Sequence, residues 1–119
     1  MTVQNLSAAF ASFSDQWQPR RLTSVNDYDM KIAKVQGEFV WHTHADTDEL
    51  FLVHAGELTI QLRDGDVVLG PGDVYVVPKG VEHCPKAEVE TSIVMFELQG
   101  TVNTGDAEGE RTTQLQELS

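Results

Sequence analysis

The spacing of apolar residues changes along this chain. Between residues 5 and 17 the large apolar residues are spaced by four, three and four; they are Leu6, Phe10, Phe13 and Trp17. This spacing is typical of one face of an amphipathic helix, and Asn5 stands where an N-cap is expected. Pro19 has no amide hydrogen to continue a helix. The pattern predicts a short helix over residues 5–17 whose apolar stripe packs on the rest of the protein.

From about residue 20 to 98 the pattern becomes that of strands. Short apolar runs are separated by glycine, proline and aspartate, which is typical of a sandwich or barrel. The clearest hairpin lies between Glu57 and Leu69, with the Asp64-Gly65 pair suited to its tight turn. The runs 50–53 and 74–77 are apolar on both faces. They should be covered on both sides, by the opposite sheet and by the helix or a second subunit, so we expect a homodimer.

Length and composition favour one all-β domain over residues 1–119. Its barrel core is expected at about 20–98. The polar segment 99–119 contains three glycines and few apolar residues, which predicts a flexible tail or one that lies on a neighbouring subunit. No internal repeat or second domain boundary is visible.

Charge narrows the range of partners. Nineteen acidic residues against eight basic ones give a formal net charge of −11, which repels nucleic-acid backbones and anionic lipid surfaces. The first ten residues lack the basic start and apolar stretch of a secretory signal, and the single cysteine, Cys84, cannot form an internal disulfide. We therefore expect a cytoplasmic protein with a small-molecule partner, and neither nucleic acid nor membrane.

Three histidines and a glutamate are candidates for metal binding. His42 and His44 are two apart in a strand-like segment, so their side chains share a face, about 7 Å apart along the backbone. Glu49 opens the next strand after a turn and can supply an oxygen. His83 follows the Pro78–Gly80 corner and joins the other three only if the barrel closes.

Such a donor set suits one divalent transition metal ion. Iron, manganese, nickel, copper, cobalt and zinc all accept imidazole and carboxylate ligands, and affinity alone does not choose among them. Four protein ligands around a five- or six-coordinate ion leave positions for a substrate, which distinguishes a catalytic site from a closed structural one.

The chain resembles the cupin superfamily from Gly37 to Phe96. The first cupin motif runs from a glycine through His-x-His and a glutamate to a second glycine; here these are Gly37, His42, His44, Glu49 and Gly56. Four residues, rather than the usual five, separate Gly37 from His42. The second motif is matched by Gly72, Pro78, Gly80 and His83, with Ala87 where asparagine is common.

The resemblance implies a jelly-roll-like barrel, the double-stranded β-helix, with about six to eight strands. It also implies a metal inside the open end of the barrel and, often, a dimer. The asparagine is not a ligand in the family, so Ala87 leaves the metal expectation intact.

Other notable residues have plainer interpretations. His54 has the opposite strand parity from Glu49 and is expected outside the barrel. Cys84 is interpreted as an inert buried thiol, and Trp41 as a packing residue. Arg63 is the one cation that the pattern places near the cavity, although for it, as for Tyr75, Met95 and Glu38, a structural or solvated role is favoured.

The barrel fold and the metal do not determine which reaction is catalysed, because proteins with this barrel catalyse many different reactions. The leading hypothesis is a metal-dependent enzyme in which the ion acts as a Lewis acid or dioxygen-binding centre for a small polar organic substrate. A dioxygenase, an isomerase and a lyase all fit. The alternative is a non-catalytic ligand-binding or sensory module. A scaffold without metal is the third possibility.

Overall fold

The computed structural model describes residues 2–107, 109–113 and 115–118. Within those ranges a helix, α1 (Leu6–Ala11), precedes the strands, which are β1 (Arg20–Val25), β2 (Tyr28–Glu38), β3 (Glu49–Ala55), β4 (Leu58–Leu62), β5 (Gly65–Leu69), β6 (Val74–Val77), β7 (His83–Leu98) and β8 (Gln116–Glu117). No helix in the described part of the chain is both long and apolar enough to cross a membrane.

Two long strands organise the barrel. β2 and β7 pair antiparallel from Tyr28 opposite Leu98 to Glu38 opposite Lys86. The first part of β7 also pairs with β4, and its second part pairs with β3. β5 extends the sheet beyond β4 and β6 extends it beyond β3, while β1 and then β8 lie on the other side of β2. The sheet thus folds into two groups of strands that face each other, as predicted for a cupin-like barrel.

The interior of the barrel is an apolar cluster shared by both groups of strands. Its most deeply buried members, none more than 2% exposed, include Val35, Phe51, Val53, Leu58 and Ile60. Alternation along β3 and β4 sends these side chains inward. The core ends where the inward positions become polar, near Glu49 and His83.

The N-terminal helix is shorter than the predicted span of residues 5–17. Asn5 caps it as expected, with its side chain accepting a hydrogen bond from the Ala8 amide, but the helix ends at Ala11. Phe10 packs on the outer face of the barrel, whereas Trp17 belongs to the inner cluster. A straight helix cannot reach both sides of a sheet, so the chain turns, and Trp17 adopts a positive φ of 59°.

The predicted hairpin is present, with β4 and β5 joined at Leu62 and Gly65 by the two residues Arg63 and Asp64. Gly65 has the positive φ that the turn requires.

The two runs that are apolar on both faces have different environments. Leu52 in β3 packs against the cluster under α1, as expected. In β6, however, Val74 is 52% exposed and Val76 is 43% exposed. Within the described residues of the single chain, the outer face of β6 therefore lacks the cover that the sequence predicts.

The segment that follows β7 returns to the barrel. Thr104 is fully buried, and Thr43 and Asp106 are joined by two hydrogen bonds, one to the Asp106 side chain and one to the Thr43 carbonyl. We call residues 101–107 the cover segment. The flexibility expected of residues 99–119 stays a prediction, and its positions 108, 114 and 119 lie outside the described residues.

Candidate metal centre

His42 and His83 are brought together by a backbone bridge. The amide of each donates to the carbonyl of the other, with N···O distances of 3.0 Å. Directly opposed residues of an antiparallel pair point to the same side of the sheet, so the two rings are adjacent, with centroids 4.3 Å apart.

His44, two residues after His42 in a segment that forms no strand, lies beside both rings. Its ring centroid lies 4.8 Å from that of His42 and 5.7 Å from that of His83. Its carbonyl accepts a hydrogen bond from the Gly80 amide, which ties the Pro78–Gly80 corner to the site. All three histidines are buried.

Glu49 faces the rings from the first position of β3. Its Oε1 lies 3.4 Å from the His44 Nε2 and 3.3 Å from the His83 Nε2. One ligand atom from each of His42, His44, Glu49 and His83 can be chosen so that all four lie within 4.8 Å of one another. The structure therefore gathers all four predicted residues into a buried cluster that could hold a metal ion.

The histidines are oriented as ligands. The Nδ1 atoms of His42 and His83 lie 2.8 and 2.9 Å from the carbonyl oxygens of Val40 and Val81. A carbonyl only accepts, so each Nδ1 carries the proton and each Nε2 presents a lone pair. His44 Nε2 is buried without a hydrogen-bond partner among the described residues. A cation at the centre would satisfy all three nitrogens, so the donor set fits a metal.

Electrostatics favour the metal-binding protonation states. Burial, together with the neighbouring His83, lowers the pKa of His42 to about 4. Burial tends to raise the pKa of Glu49, but the adjacent rings of His44 and His83 hold it well below its usual value. Neutral imidazole beside carboxylate is the form in which these groups coordinate a cation.

Residues 28–98 match the family model of the cupin domain, Cupin_2. The chain belongs to the cupin family. This confirms the family resemblance that the two motifs carry.

Individual relatives share the cupin fold. The uncharacterized protein YdbB of Bacillus subtilis is 37% identical over 90 residues, which cover 75% of this chain and 80% of that protein. A cupin-2 domain protein from Shewanella frigidimarina is 48% identical with a TM-score of 0.81, over 82% of this chain and 95% of that one. Hydroquinone 1,2-dioxygenase from Sphingomonas is 15% identical with a TM-score of 0.69, over 91% and 74% of the two chains. At that identity the likeness concerns the fold alone.

The cavity beside the cupin cluster is small. Its volume is about 40 Å³, which is room for about three water molecules. His42 and Glu49 line it together with apolar side chains such as Phe51 and Met95. The site is thus dry on most sides and polar at the cluster.

Two charged residues of the cavity region were missed at the level of sequence. Lys31 on β2 and Glu97 on β7 are each 2% exposed, and the Lys31 Nζ lies 2.8 Å from the Glu97 Oε1. Both occupy inward positions of their strands, in the same parity as Ala33 and Met95. A charge at an inward position of an apolar strand is the signal that could have found them.

Glu97 also lies beside the cluster, because it lines the same cavity as Glu49. Burial, and then the charge of Glu49, raise the pKa of Glu97 well above its usual value, against the opposing effect of Lys31.

Arg63 lies outside the cavity. Its guanidinium stacks on the Trp41 ring at 3.7 Å from the centroid and pairs with Glu82 on the surface. Arg63 therefore has the solvated role that the sequence favoured. The expectation that it lies near the cavity is wrong. Arg63 lies in the turn between β4 and β5, beyond the last paired residue of β4.

The remaining residues behave as expected. His54 stacks on Phe10 of α1, outside the barrel, with ring centroids 5.2 Å apart. Cys84 is fully buried, and burial raises the pKa of its thiol to about 11, so the thiol stays protonated at neutral pH. Ala87 packs in the inner cluster, with no polar atom to satisfy.

Proposed function

We propose that this cupin is a metal-dependent enzyme that acts on a small polar organic substrate. His42, His44, Glu49 and His83 would hold one divalent transition metal ion. The observation that carries the proposal is the convergence of three buried imidazoles and one carboxylate within 4.8 Å. When bound, the ion would supply Lewis-acid or redox chemistry at its free coordination positions.

The residues around the cluster support a catalytic rather than a purely structural role. Phe51 and Met95 exclude water from one side of the cavity, which strengthens every electrostatic interaction inside it. Glu97 adds a polar group that the four ligands do not require. A closed structural site would have no use for that additional group facing its cavity.

Metal binding is tested first. Purified protein is dialysed against each candidate divalent ion, and bound metal is quantified by plasma mass spectrometry. We expect about one ion per chain and loss of binding in His83→Ala. His54→Ala should still bind the ion, because His54 stacks on Phe10 outside the barrel. Equal metal content in the wild type and His83→Ala would overturn the metal proposal.

Catalysis is tested on the loaded protein. Oxygen consumption and product formation are measured by electrode and mass spectrometry with a panel of small hydroxylated acids, ketones and phenols. Turnover that disappears with His83→Ala supports an enzyme.

A second candidate function is a cupin module that binds a small ligand at the metal without turnover. The volume of the cavity, about 40 Å³, favours it, because an organic substrate larger than a few atoms would need the surroundings to move. Tight binding of a panel compound with no product would support this candidate over the enzyme.

We also propose a homodimer that covers the outer face of β6. Val74 and Val76 continue the apolar outer surface beyond Leu52 and Leu50, their neighbours on β3, and are exposed in the single chain. Light scattering after size exclusion should give twice the chain mass. The variant Val74→Lys/Val76→Lys should give the monomer mass, whereas Val3→Lys, at a more exposed valine outside the strands, should not.

A further inference from the structure

The charged pair Lys31–Glu97 is buried in the interior of the barrel. Both side chains point into the interior, where replacing an ion pair by apolar residues of similar size is often neutral or stabilising. A buried pair at this position therefore calls for an explanation other than stability.

The two oxygens of Glu97 differ in their partners. Oε1 lies 2.8 Å from the Lys31 Nζ, which also donates to the carbonyl of Thr101 at 3.3 Å. Oε2 is buried and has no hydrogen-bond partner among the described residues. Lys31 thus fixes the carboxyl group through one oxygen and leaves the other for a different partner.

Glu97 lines the cavity of the metal cluster together with His42 and Glu49. A molecule held by an ion at the cluster would therefore lie beside Glu97. A buried polar group left unpaired is costly, so such a site discriminates strongly in favour of a molecule that pairs with it.

The charges of the interior indicate the class of molecule. Even with Glu49 and Glu97 both ionised, their two negative charges fall short of the three positive charges of Lys31 and a divalent ion, so the cavity keeps a surplus of positive charge. A surplus of this sign in a dry cavity favours an anionic ligand.

We propose that Glu97, held in place by Lys31, is the specificity-determining residue of the site and selects small hydroxy-carboxylates. The ligand's carboxylate would offset the positive charge, and its hydroxyl group would pair with the free oxygen of Glu97. This inference rests on the proposed metal site, and it names the substrate class of that site.

The test compares two probes of nearly equal size on the cobalt-loaded protein. Glycolate carries a hydroxyl group, whereas fluoroacetate has fluorine in its place and cannot donate a hydrogen bond. Binding of each is followed by the visible spectrum of cobalt. Loss of one hydrogen bond to a charged group corresponds to a change in affinity of about tenfold to a hundredfold. The ratio of the two affinities is compared between variants. A change at the metal that affects both probes equally leaves this ratio unchanged.

Three variants separate selection from structure. Lys31→Met/Glu97→Met replaces the pair by apolar side chains and should reduce the glycolate-to-fluoroacetate ratio about tenfold or more. Glu97→Gln keeps a hydrogen-bonding group and should retain part of the preference. Met95→Leu, which lines the same cavity without a polar atom, should keep the wild-type ratio.

The outcomes are distinguishable. If the wild type binds no cobalt, the proposed function fails together with the inference. If cobalt binds with the same affinity in all the variants while the ratio is unchanged in Lys31→Met/Glu97→Met, the inference alone is overturned. Should that double variant not fold, an unaltered ratio in Glu97→Ala would contradict the inference equally.

Discussion

His42 and His83 are joined by two reciprocal backbone hydrogen bonds of 3.0 Å although they belong to separate motifs. His83 begins β7, whereas His42 lies outside the strands, so the packing of the rest of the barrel must hold this bridge in place. A metal ion bound by both rings would link the same two segments a second time. The ion should therefore stabilise the folded state.

The first prediction is that metal raises the stability of the wild type. A ligand that binds only the folded state at a hundred times its Kd adds about 2.7 kcal/mol. Thermal unfolding followed by circular dichroism should show a higher Tm with metal than with EDTA. His83→Ala should show no such difference, while His54→Ala should respond as the wild type does. A metal-induced increase that survives in His83→Ala would place the ion elsewhere.

The second prediction concerns pH in the metal-free protein. Burial lowers the pKa of His42 from 6.5 to about 4, so between these values the unfolded chain binds more protons at this residue than the folded chain. Stability from this group is complete above about pH 6.5 and is lost as the pH falls towards 4, by up to about 3 kcal/mol. Urea unfolding in EDTA at pH 7 and pH 5 should reveal the loss.

The control for this pH effect is His42→Asn, which cannot titrate. Its stability should fall less between pH 7 and pH 5 than that of the wild type. Groups far from His42 contribute equally to both proteins and cancel in the comparison. Identical slopes would show that His42 is not the source of the acid sensitivity.

Motif spacing and strand parity predicted most of the site, because both are local properties of the chain. The shared face of Glu49 and Phe51 follows from the period of two along β3. His42 and His44 lie in the same cluster as expected, although their segment forms a single bridge rather than the predicted strand. His83 needed the family resemblance, since no local rule brings it to the bridge with His42.

Contacts between distant segments were beyond local rules. Trp17 continues the helical spacing of Phe10 and Phe13, yet its side chain is in the inner cluster because the chain turns after Ala11. Lys31 and Glu97 meet only through the pairing of β2 with β7, so the sequence does not indicate that they form a pair. The return of the cover segment depends on tertiary hydrogen bonds that its polar composition does not reveal.

The third prediction concerns access to the cluster through the cover segment. A Cβ added at Gly105 would stand 2.1 Å from the Thr43 carbonyl oxygen and 3.2 Å from the His42 ring. Gly105→Ala should therefore move the segment away and weaken the hydrogen bonds between Thr43 and Asp106. Each bond contributes about 0.5–1.5 kcal/mol, so metal release to EDTA should accelerate roughly twofold to tenfold or more.

The matched control is Gly109→Ala, since a Cβ at Gly109 would meet nothing within 4 Å. Stopped-flow mixing of the cobalt-loaded proteins with EDTA measures the release rates. Gly109→Ala should release metal at the wild-type rate. If Gly105→Ala does so as well, the segment does not limit access to the ion.

The last prediction concerns the two motif glycines Gly56 and Gly72, which both have positive φ but differ in their surroundings. A Cβ at Gly72 would meet nothing within 4 Å, whereas at Gly56 it would stand 2.4 Å from the Thr91 Oγ1 and 2.9 Å from the Thr91 Cα. Gly72→Ala should cost only the left-handed strain of about 1–2 kcal/mol. Gly56→Ala adds a clash with the backbone of β7, so we expect a loss of about 3 kcal/mol or more in the free energy of unfolding measured with urea. Equal losses in the two variants would mean that φ alone, and not the close approach of Thr91, requires glycine at position 56.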